Sequence, residues 1–343
     1  MENQELIIKS LLAYGLTNTV LAQPESGYRS KIHPFLAQDD RRLALIIFKD
    51  EPQSLQRIKN ANYVSNFLAV NKFPSRRQAD SRLLVLRSPH HTNYAGLYDY
   101  IAGKTIPWEG YTKDHLKLIG KYMSQMHLIL AGLPADHVLG DTADEYLDIL
   151  QNMKKYFFDP SVSFAITAKL DLKINVHTFD STEKILLYCR WLKDKQPLHM
   201  DFVRSNLLFM EAAHPNDLGV ELAGVIDFEK TSYGIRLFDI ARTLAFLLVD
   251  CKYKSEDKIR KYFLFSGYNK RGPLKFEDIH LAYKRLRLSL LEQLIDLFLF
   301  YDLYKFLRHN PYEYLRFNEH YRRTKLLLAE RGKLDLLDKR MLK

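Results

Sequence analysis

The sequence lacks the features that mark secreted and membrane-spanning proteins. It has two cysteines in 343 residues, Cys189 and Cys251, which are too few for a disulfide framework and do not have the spacing of metal ligands. No apolar run reaches the roughly 18 residues needed to cross a bilayer. The first twelve residues contain neither a basic segment nor an apolar signal core. We therefore expect a cytoplasmic protein with no membrane partner.

Signatures of nucleic-acid binding are missing as well. The sequence has no zinc-finger spacing and no RNP-type aromatic motif. Its formal net charge of +10 permits attraction to anions such as nucleotides, but without such a motif it indicates a surface rich in Lys and Arg. With 47% hydrophobic and 27% charged residues, the composition is that of a globular protein with a sizeable core. We expect no nucleic-acid partner.

The predicted elements divide the chain into a small mixed region and a larger helical one. A helix is predicted at about 52–70, together with five strands at 18–23, 31–37, 42–49, 81–87 and 94–101. A hinge is expected at 102–104, and from Thr112 onwards the hydrophobic period is that of helices. We therefore predict an α+β protein with an N-lobe at residues 1–101 and a mainly helical C-lobe at residues 102–343.

Two motifs about twenty residues apart carry the candidate chemistry. His199-Met200-Asp201, followed by Asn206, has the pattern H-x-D-x4-N, and an apolar strand leads into Asp227-Phe228-Glu229. In phosphoryl transfer, one Asp orients and deprotonates a hydroxyl while an Asn and a second Asp hold magnesium. We therefore interpret Asp201 as the catalytic base and Asn206 and Asp227 as magnesium ligands. His199 is expected to support the loop.

Two further carboxylates accompany these motifs. Glu229 is interpreted either as an additional residue of the metal site or as a solvent-facing carboxylate. Asp239 begins an apolar helix and is expected to cap it, and it can also tie that helix to the catalytic loop. The segment between Asp227 and Asp239 has no D-F-G or A-P-E motif, which disfavours a kinase that acts on polypeptides.

These residues resemble the aminoglycoside phosphotransferase and choline kinase superfamily of small-molecule kinases. The family's catalytic loop, H-G-D-x4-N, corresponds to 199–206, and its metal strand, I-D-F/W-[DE], corresponds to 226–229. The resemblance covers roughly residues 15–250 and is sharp at 197–242. It implies a two-lobed fold like that of protein kinases, with an antiparallel N-lobe sheet and a helix. It also implies ATP and Mg²⁺ as cofactors and transfer of the γ-phosphate to a hydroxyl of a small molecule.

The resemblance also assigns the nucleotide side of the site. Ser26 and Gly27 occupy the place of the loop that covers the phosphates, whose backbone amides can cradle phosphate oxygens. Lys49 matches the lysine that contacts the α- and β-phosphates. The backbone around Tyr100 is expected to meet the adenine edge.

The sequence departs from the family pattern at two positions. A glutamate of the helix after the lysine usually pairs with it, yet no Glu occurs between Glu51 and Glu109. Asn62 lies near the expected place and can hydrogen-bond the lysine but cannot neutralise it. Met200 stands where the family usually has Gly and adds bulk beneath the loop. The missing glutamate motivates the hypothesis of a catalytically weak pseudokinase or a nucleotide-binding scaffold.

The candidate acceptor region is 288–307. Glu292 and Asp296 share a helix face, and Asp302 follows among aromatic residues, an arrangement that suits a cationic acceptor. The alternative is a buried amphipathic helix with a charged outer face. The preferred hypothesis is an ATP-dependent kinase of the aminoglycoside phosphotransferase type acting on a small-molecule hydroxyl, and a choline/ethanolamine-type or sugar kinase is the alternative.

Overall fold

The structure is a computed structural model of the chain. It describes residues 2–17, 19–26, 30–87, 92–107, 109–134, 139–175, 177–211, 219–270 and 290–335. The chain forms two compact units, of which unit 1 comprises Met1–Thr105 with Asn206–Thr231, and unit 2 comprises Ile106–Ser205 with Ser232–Lys343.

The helices and strands are numbered in chain order. The helices are α1 (Glu2–Ala13), α2 (Ser54–Val70), α3 (Lys113–Leu130), α4 (Thr142–Phe157), α5 (Pro160–Leu170), α6 (His177–Trp191), α7 (Leu237–Asp250), α8 (Glu256–Arg260), α9 (Leu290–His309), α10 (Tyr312–Leu315) and α11 (Glu319–Glu330). The strands are β1 (Val20–Leu21), β2 (Glu25–Ser26), β3 (Ser30–Leu36), β4 (Arg42–Lys49), β5 (Gln78–Arg87), β6 (Thr92–Asp99), β7 (Lys173–Ile174), β8 (Lys195–Leu198), β9 (Leu207–Glu211), β10 (Val220–Val225), β11 (Ser232–Ile235) and β12 (Leu334–Asp335). A 3₁₀ turn at Arg204–Asn206 and a π-helical segment at Lys261–Tyr268 complete the described elements.

Unit 1 is built on an antiparallel sheet with strand order β1-β3-β4-β6-β5, to which the two-residue strand β2 adds by pairing with β3. The five predicted strands and the predicted helix are confirmed, and the structure adds β2. The central pairing sets Leu45 of β4 opposite Leu97 of β6. The β-branched and aliphatic residues of β4 favour a strand because their side chains pack on both faces of the pleated sheet.

The two faces of this sheet are covered by different helices. Side chains of successive strand residues point to opposite faces, so Leu43 and Leu45 of β4 pack in the cluster that contains Ile7 and Leu11 of α1. Ile46 and Phe48 pack instead with Ile58 of α2 and Tyr98 of β6. Even-numbered residues of β4 therefore face α2, and odd-numbered residues face α1.

Unit 1 is completed by chain that returns after residue 205. The hairpin of β9 and β10 is antiparallel, with Leu207 opposite Val225. Two isolated bridges, Lys104 with Phe209 and Ser75 with Val225, join the hairpin to the first part of the unit. The predicted N-lobe of residues 1–101 follows chain order and does not include this return. The division into functional lobes at residues 101 and 102 stays a prediction.

Unit 2 is mainly helical, in agreement with the predicted C-lobe composition. Helix α3 packs against the π-helical segment, α7 against α9, and α4 against α6. Two short antiparallel pairs, β8 with β11 and β7 with β12, complete it. In the part of the chain that the structure describes, no helix has both the length and the apolar character that a membrane crossing requires.

Two glycines allow the backbones of α3 and the π-helical segment to meet. A Cβ atom added at Gly120 would lie 2.1 Å from the carbonyl oxygen of Phe263, and one at Gly267 would lie 2.8 Å from that of Lys117. Neither carbonyl can move without breaking backbone hydrogen bonds. The close approach of these two elements therefore depends on the absence of side chains at both positions.

We predict that Gly120→Ala destabilises the protein, although alanine is the better helix former by about 1 kcal/mol. The backbone clash is expected to lower the free energy of unfolding by at least about 3 kcal/mol, as measured by urea denaturation. Gly140→Ala is the control, because a Cβ at Gly140 meets nothing within 4 Å. Equal stability of the two variants would contradict the prediction.

Candidate active site

The predicted catalytic loop follows β8 in unit 2. His199 is fully buried, and its Nδ1 atom accepts a hydrogen bond from the backbone N–H of Asp201 at 3.1 Å. The predicted supporting role of His199 is confirmed. Met200 has φ 57°, a left-handed conformation that favours glycine and explains why the family usually has Gly here. Its side chain is buried, so packing compensates the backbone strain.

Asp239 of α7 holds this loop. Its carboxylate accepts hydrogen bonds from the backbone N–H groups of His199 and Met200 at 2.9 and 2.6 Å. It lies 3.0 Å from His127 Nε2, and because a carboxylate accepts only, this nitrogen donates. The predicted tie to the catalytic loop is confirmed. The predicted capping role is wrong, since the carboxylate binds loop amides rather than the amides of α7.

The neighbours of the Asp239 carboxyl oppose the effect of its burial on its pKa. Burial alone would raise its pKa, but the hydrogen bond and charge of His127 and the nearby His199 hold the pKa below its usual value. The other ring nitrogen of His127, Nδ1, lies 2.7 Å from the Tyr268 hydroxyl. The catalytic loop is thus anchored to α7, α3 and the π-helical segment through one carboxylate.

The candidate base Asp201 is positioned by the next turn of the same helix. Arg242 donates from Nη2 to Asp201 Oδ1 at 2.8 Å and from Nη1 to the Tyr146 hydroxyl at 2.9 Å. Thr243 donates to the backbone oxygen of Phe202 at 2.8 Å. Positions 239, 242 and 243 lie on one face of a helix. Sequence reasoning missed Arg242, although its spacing from Asp239 was the available signal.

The two predicted magnesium ligands lie at the same end of the β9–β10 hairpin in unit 1. The backbone N–H of Ile226 donates to the backbone oxygen of Asn206 at 3.0 Å, so the open end of the β9–β10 hairpin sets Asn206 beside the residue that precedes Asp227. Asn206 is buried, whereas Asp227 is exposed with φ 62°. An amide oxygen and a carboxylate are hard oxygen donors of the kind that Mg²⁺ prefers. The donor set therefore fits the predicted ion.

Glu229 is not a solvent-facing carboxylate. Both of its carboxylate oxygens are buried, and Oε1 lies 2.9 Å from Nη2 of Arg76. Burial would raise the pKa of Glu229, but the Arg76 charge more than offsets this effect, and the pKa lies below its usual value. Arg76 was missed from the sequence because its partner lies about 150 residues later in the chain.

The predicted lysine and asparagine are not paired. The Lys49 side chain is exposed, and its position in β4 has the parity of Leu43 and Leu45, which face α1. Asn62 of α2 instead accepts a hydrogen bond at 2.9 Å from the hydroxyl of Tyr98. The role of Lys49 in binding phosphate stays a prediction.

The other predicted nucleotide residues are less informative. Ser26 lies in β2 opposite Lys31, and Gly27 lies outside the described residues. The backbone N–H of Tyr100 donates to the carbonyl oxygen of Arg42 at 3.1 Å, so this amide serves the sheet. These assignments also stay predictions.

The carboxylates of the predicted acceptor region are bound within the protein. Glu292 accepts hydrogen bonds from Arg260 and Arg331, and Asp296 pairs with Arg331. Asp302 lies 2.8 Å from Nε2 of His320. Both interpretations of this helix are therefore wrong for Glu292 and Asp296, which form neither a free acceptor pair nor a charged outer face.

Comparison with known proteins assigns the family. A model of the phosphotransferase enzyme family, APH, matches residues 34–251, and the chain belongs to this family. The predicted class of enzyme, a small-molecule kinase, is confirmed at that level. No curated protein matches the sequence.

Solved structures with the same fold share little sequence with this chain. Amicoumacin kinase hAmiN in complex with AMP-PNP, Ca²⁺ and Ami aligns with a TM-score of 0.67 and 14% identity over 91% of this chain and 87% of its own. The microcompartment-associated aminopropanol kinase aligns with a TM-score of 0.66 and 15% identity over 96% of this chain and 98% of its own. Spectinomycin phosphotransferase APH(9)-Ia, in complex with ADP and spectinomycin, aligns with a TM-score of 0.56 and 14% identity over 95% of this chain and 98% of its own. The predicted kinase-like α+β fold is confirmed.

We predict that Asp239→Asn lowers the free energy of unfolding by about 3–5 kcal/mol, because the amide cannot accept from all three donors and a buried charge network is broken. Urea denaturation measures the change. Asp144→Asn is the control, since Asp144 also lies in the first turn of a helix but forms an exposed pair with Arg190, which contributes about 1 kcal/mol or less. If Asp239→Asn lowers the free energy of unfolding no more than Asp144→Asn does, the role of Asp239 in holding the loop is contradicted.

A second prediction concerns Asp250 at the end of α7. Burial raises the pKa of Asp250 to about 6, although the charges of Arg204 and His320 oppose this effect and that of Asp302 adds to it. Since the unfolded carboxyl titrates near 3.8, the unfolded chain loses this proton first as pH rises. The free energy of unfolding therefore falls between pH 3.8 and about 6, by up to roughly 3 kcal/mol.

Asp250→Asn removes this titration. We expect the variant to be more stable than the wild type by roughly 1–3 kcal/mol at pH 8 and to match it near pH 4, as measured by urea denaturation at both pH values. Asp148→Asn, an exposed position of α4, provides the pH-independent control. Equal destabilisation by Asp250→Asn at both pH values would contradict the raised pKa.

Proposed function

We propose that the protein is an ATP-dependent phosphotransferase that moves the γ-phosphate of ATP to a hydroxyl group of a small molecule, as an enzyme of the aminoglycoside phosphotransferase type. The observation that carries the proposal is the position of Asn206 beside Ile226, the residue before Asp227, at the end of one hairpin. This arrangement supports an amide and a carboxylate as oxygen ligands of one ion. Family membership supports the reaction class.

Asp201 is proposed as the catalytic base. Its carboxylate takes the proton of the acceptor hydroxyl while the hydroxyl oxygen forms a bond to the γ-phosphorus and the bond to the β,γ-bridging oxygen breaks, which releases ADP. Arg242 holds one carboxylate oxygen at 2.8 Å, and the backbone N–H of Asp201 is held by His199. A buried guanidinium at this distance favours the ionised carboxylate, the form that accepts a proton.

Asn206 and Asp227 are proposed to hold Mg²⁺, which neutralises phosphate charge when it is bound. The exposed Asp227 carboxylate is accessible to a ligand, and the buried Asn206 has little rotational freedom to lose on binding. Ser26, Gly27, Lys49 and Tyr100 are kept as predictions for the nucleotide side.

The remaining parts of the proposal concern partners and location. ATP and a small hydroxyl compound are the proposed partners, by analogy with relatives bound to AMP-PNP or ADP and to small molecules. Both cysteines are free and buried, which supports a reducing, cytoplasmic setting.

The test combines nucleotide binding with turnover. Isothermal titration calorimetry with AMP-PNP and Mg²⁺ measures binding, and ADP release measures turnover with kanamycin, spectinomycin, choline, ethanolamine, 1-amino-2-propanol, homoserine and glucose as acceptors. With the acceptor that is turned over, Asp201→Asn is expected to lower kcat by about 10²–10⁴-fold and to leave AMP-PNP affinity within about threefold. Asp227→Asn is expected to weaken the Mg²⁺-dependent binding.

Asp40→Asn is the matched control, because Asp40 lies in an exposed turn with φ 60°, a conformation that asparagine also adopts. No change is expected there in binding or turnover. Wild-type protein that binds no AMP-PNP with Mg²⁺ would favour the scaffold hypothesis. Full turnover by Asp201→Asn would exclude Asp201 as the base.

A further inference from the structure

The α2-facing side of the unit 1 sheet contains a buried cation, Arg76. Its side chain is only 6% exposed, and its backbone N–H donates to Val225 of β10 at 3.0 Å. The guanidinium carbon lies 4.7 Å from the ring centroid of Tyr98 and 6.0 Å from that of Phe48. Cation–π contacts with two rings and one backbone hydrogen bond therefore fix where this charge lies.

The charge of Arg76 is directed at the segment that contains the proposed metal ligand. Arg76 Nη2 lies 2.9 Å from Glu229 Oε1, and the backbone N–H of Arg76 donates to Val225. Arg76 therefore contacts the chain on both sides of Asp227. Because the charge of Arg76 balances that of Glu229, the set keeps one net negative charge, that of Asp227, which a divalent cation can balance.

The sequence lacks the glutamate with which the family's lysine usually pairs. The α2 position nearest to the expected glutamate is Asn62, which is buried and bound to Tyr98. Lys49 is an odd-numbered residue of β4 and therefore belongs to the face of the sheet that α1 covers, opposite to α2. In contrast, Arg76 lies against Tyr98 and Phe48, on the face that α2 covers.

On the basis of the proposed function, we propose that Arg76 is a positioning residue for the metal site, and that its contacts with Val225 and Glu229 hold the segment that carries the Asp227 carboxylate. The planar guanidinium suits this task, because its donors have a fixed geometry and it stays charged when buried. Arg76 acts through Glu229 and Asp227 and does not itself hold the ion.

The experiment measures the dissociation constant of AMP-PNP by isothermal titration calorimetry, once with Mg²⁺ and once with EDTA. The ratio of the two constants reports the contribution of the ion without any turnover. The variants are Arg76→Gln and the double variant Arg76→Gln/Glu229→Gln, which removes both charges and so leaves no unpaired charge in the interior. Arg77→Gln is the matched control, because Arg77 is the next residue but 66% of its side chain is exposed.

We expect the wild-type ratio of the constants, EDTA over Mg²⁺, to exceed about ten and to fall by about 10–100-fold or to unity in both Arg76 variants. AMP-PNP affinity in EDTA should change by less than about threefold, and Arg77→Gln should retain the wild-type ratio. A purely structural pair predicts instead that the double variant recovers both the wild-type melting temperature and the wild-type ratio, and this result would overturn the proposal.

The design separates this inference from the proposed function. Wild-type protein without Mg²⁺-dependent binding would overturn the proposed function and the inference with it. Wild-type protein with that dependence, together with an Arg76→Gln/Glu229→Gln variant that keeps it, would overturn the inference alone. Arg76→Lys is a further variant, which keeps the positive charge but lacks the planar guanidinium. We expect it to restore part of the wild-type ratio of the two dissociation constants.

Discussion

Unit 2 depends on the hydrogen bonds that the buried carboxylate of Asp239 accepts. This carboxylate accepts from two successive amides of the catalytic loop and from His127, so that a loop, a long helix and α7 share one acceptor. A charge in the interior is tolerated only when its donors are all supplied. The same helix face then supplies Arg242 to Asp201 and Thr243 to Phe202, so the position of α7 sets the orientation of the Asp201 carboxylate.

Local patterns predicted much of the fold and the motif residues, whereas pairings over long separations escaped them. The five strands, helix α2 and the supporting role of His199 follow from hydrophobic periods and a short motif, and these are confirmed. Arg76 with Glu229 and Glu292 with Arg331 could not be predicted, because nothing in a single sequence links residues that far apart. The role of Glu292 shows the reason most clearly, since spacing placed it on a helix face but could not say whether that face met water or arginine.

The departures from the family pattern share a physical theme. Where a small or charged residue is expected, this chain has a neutral or larger one, and the surrounding residues compensate. Met200 adopts a positive φ angle and is held by burial and by the hydrogen bond that its backbone N–H donates to Asp239. Asn62 accepts a hydrogen bond from the Tyr98 hydroxyl, and the guanidinium of Arg76 lies over the Tyr98 ring.

The return of residues 206–231 to unit 1 has a consequence for biosynthesis. As the chain leaves the ribosome, residues 1–105 appear first, without the hairpin that bridges to Ser75 and Lys104. Residues 106–205 must be made before the hairpin strands exist, so these bridges join the most distant segments of the unit and raise its contact order. The unit that contains Asn206 and Asp227 is therefore completed only after residue 231 has been made, and until Glu229 has been made Arg76 has no carboxylate from it to balance its charge.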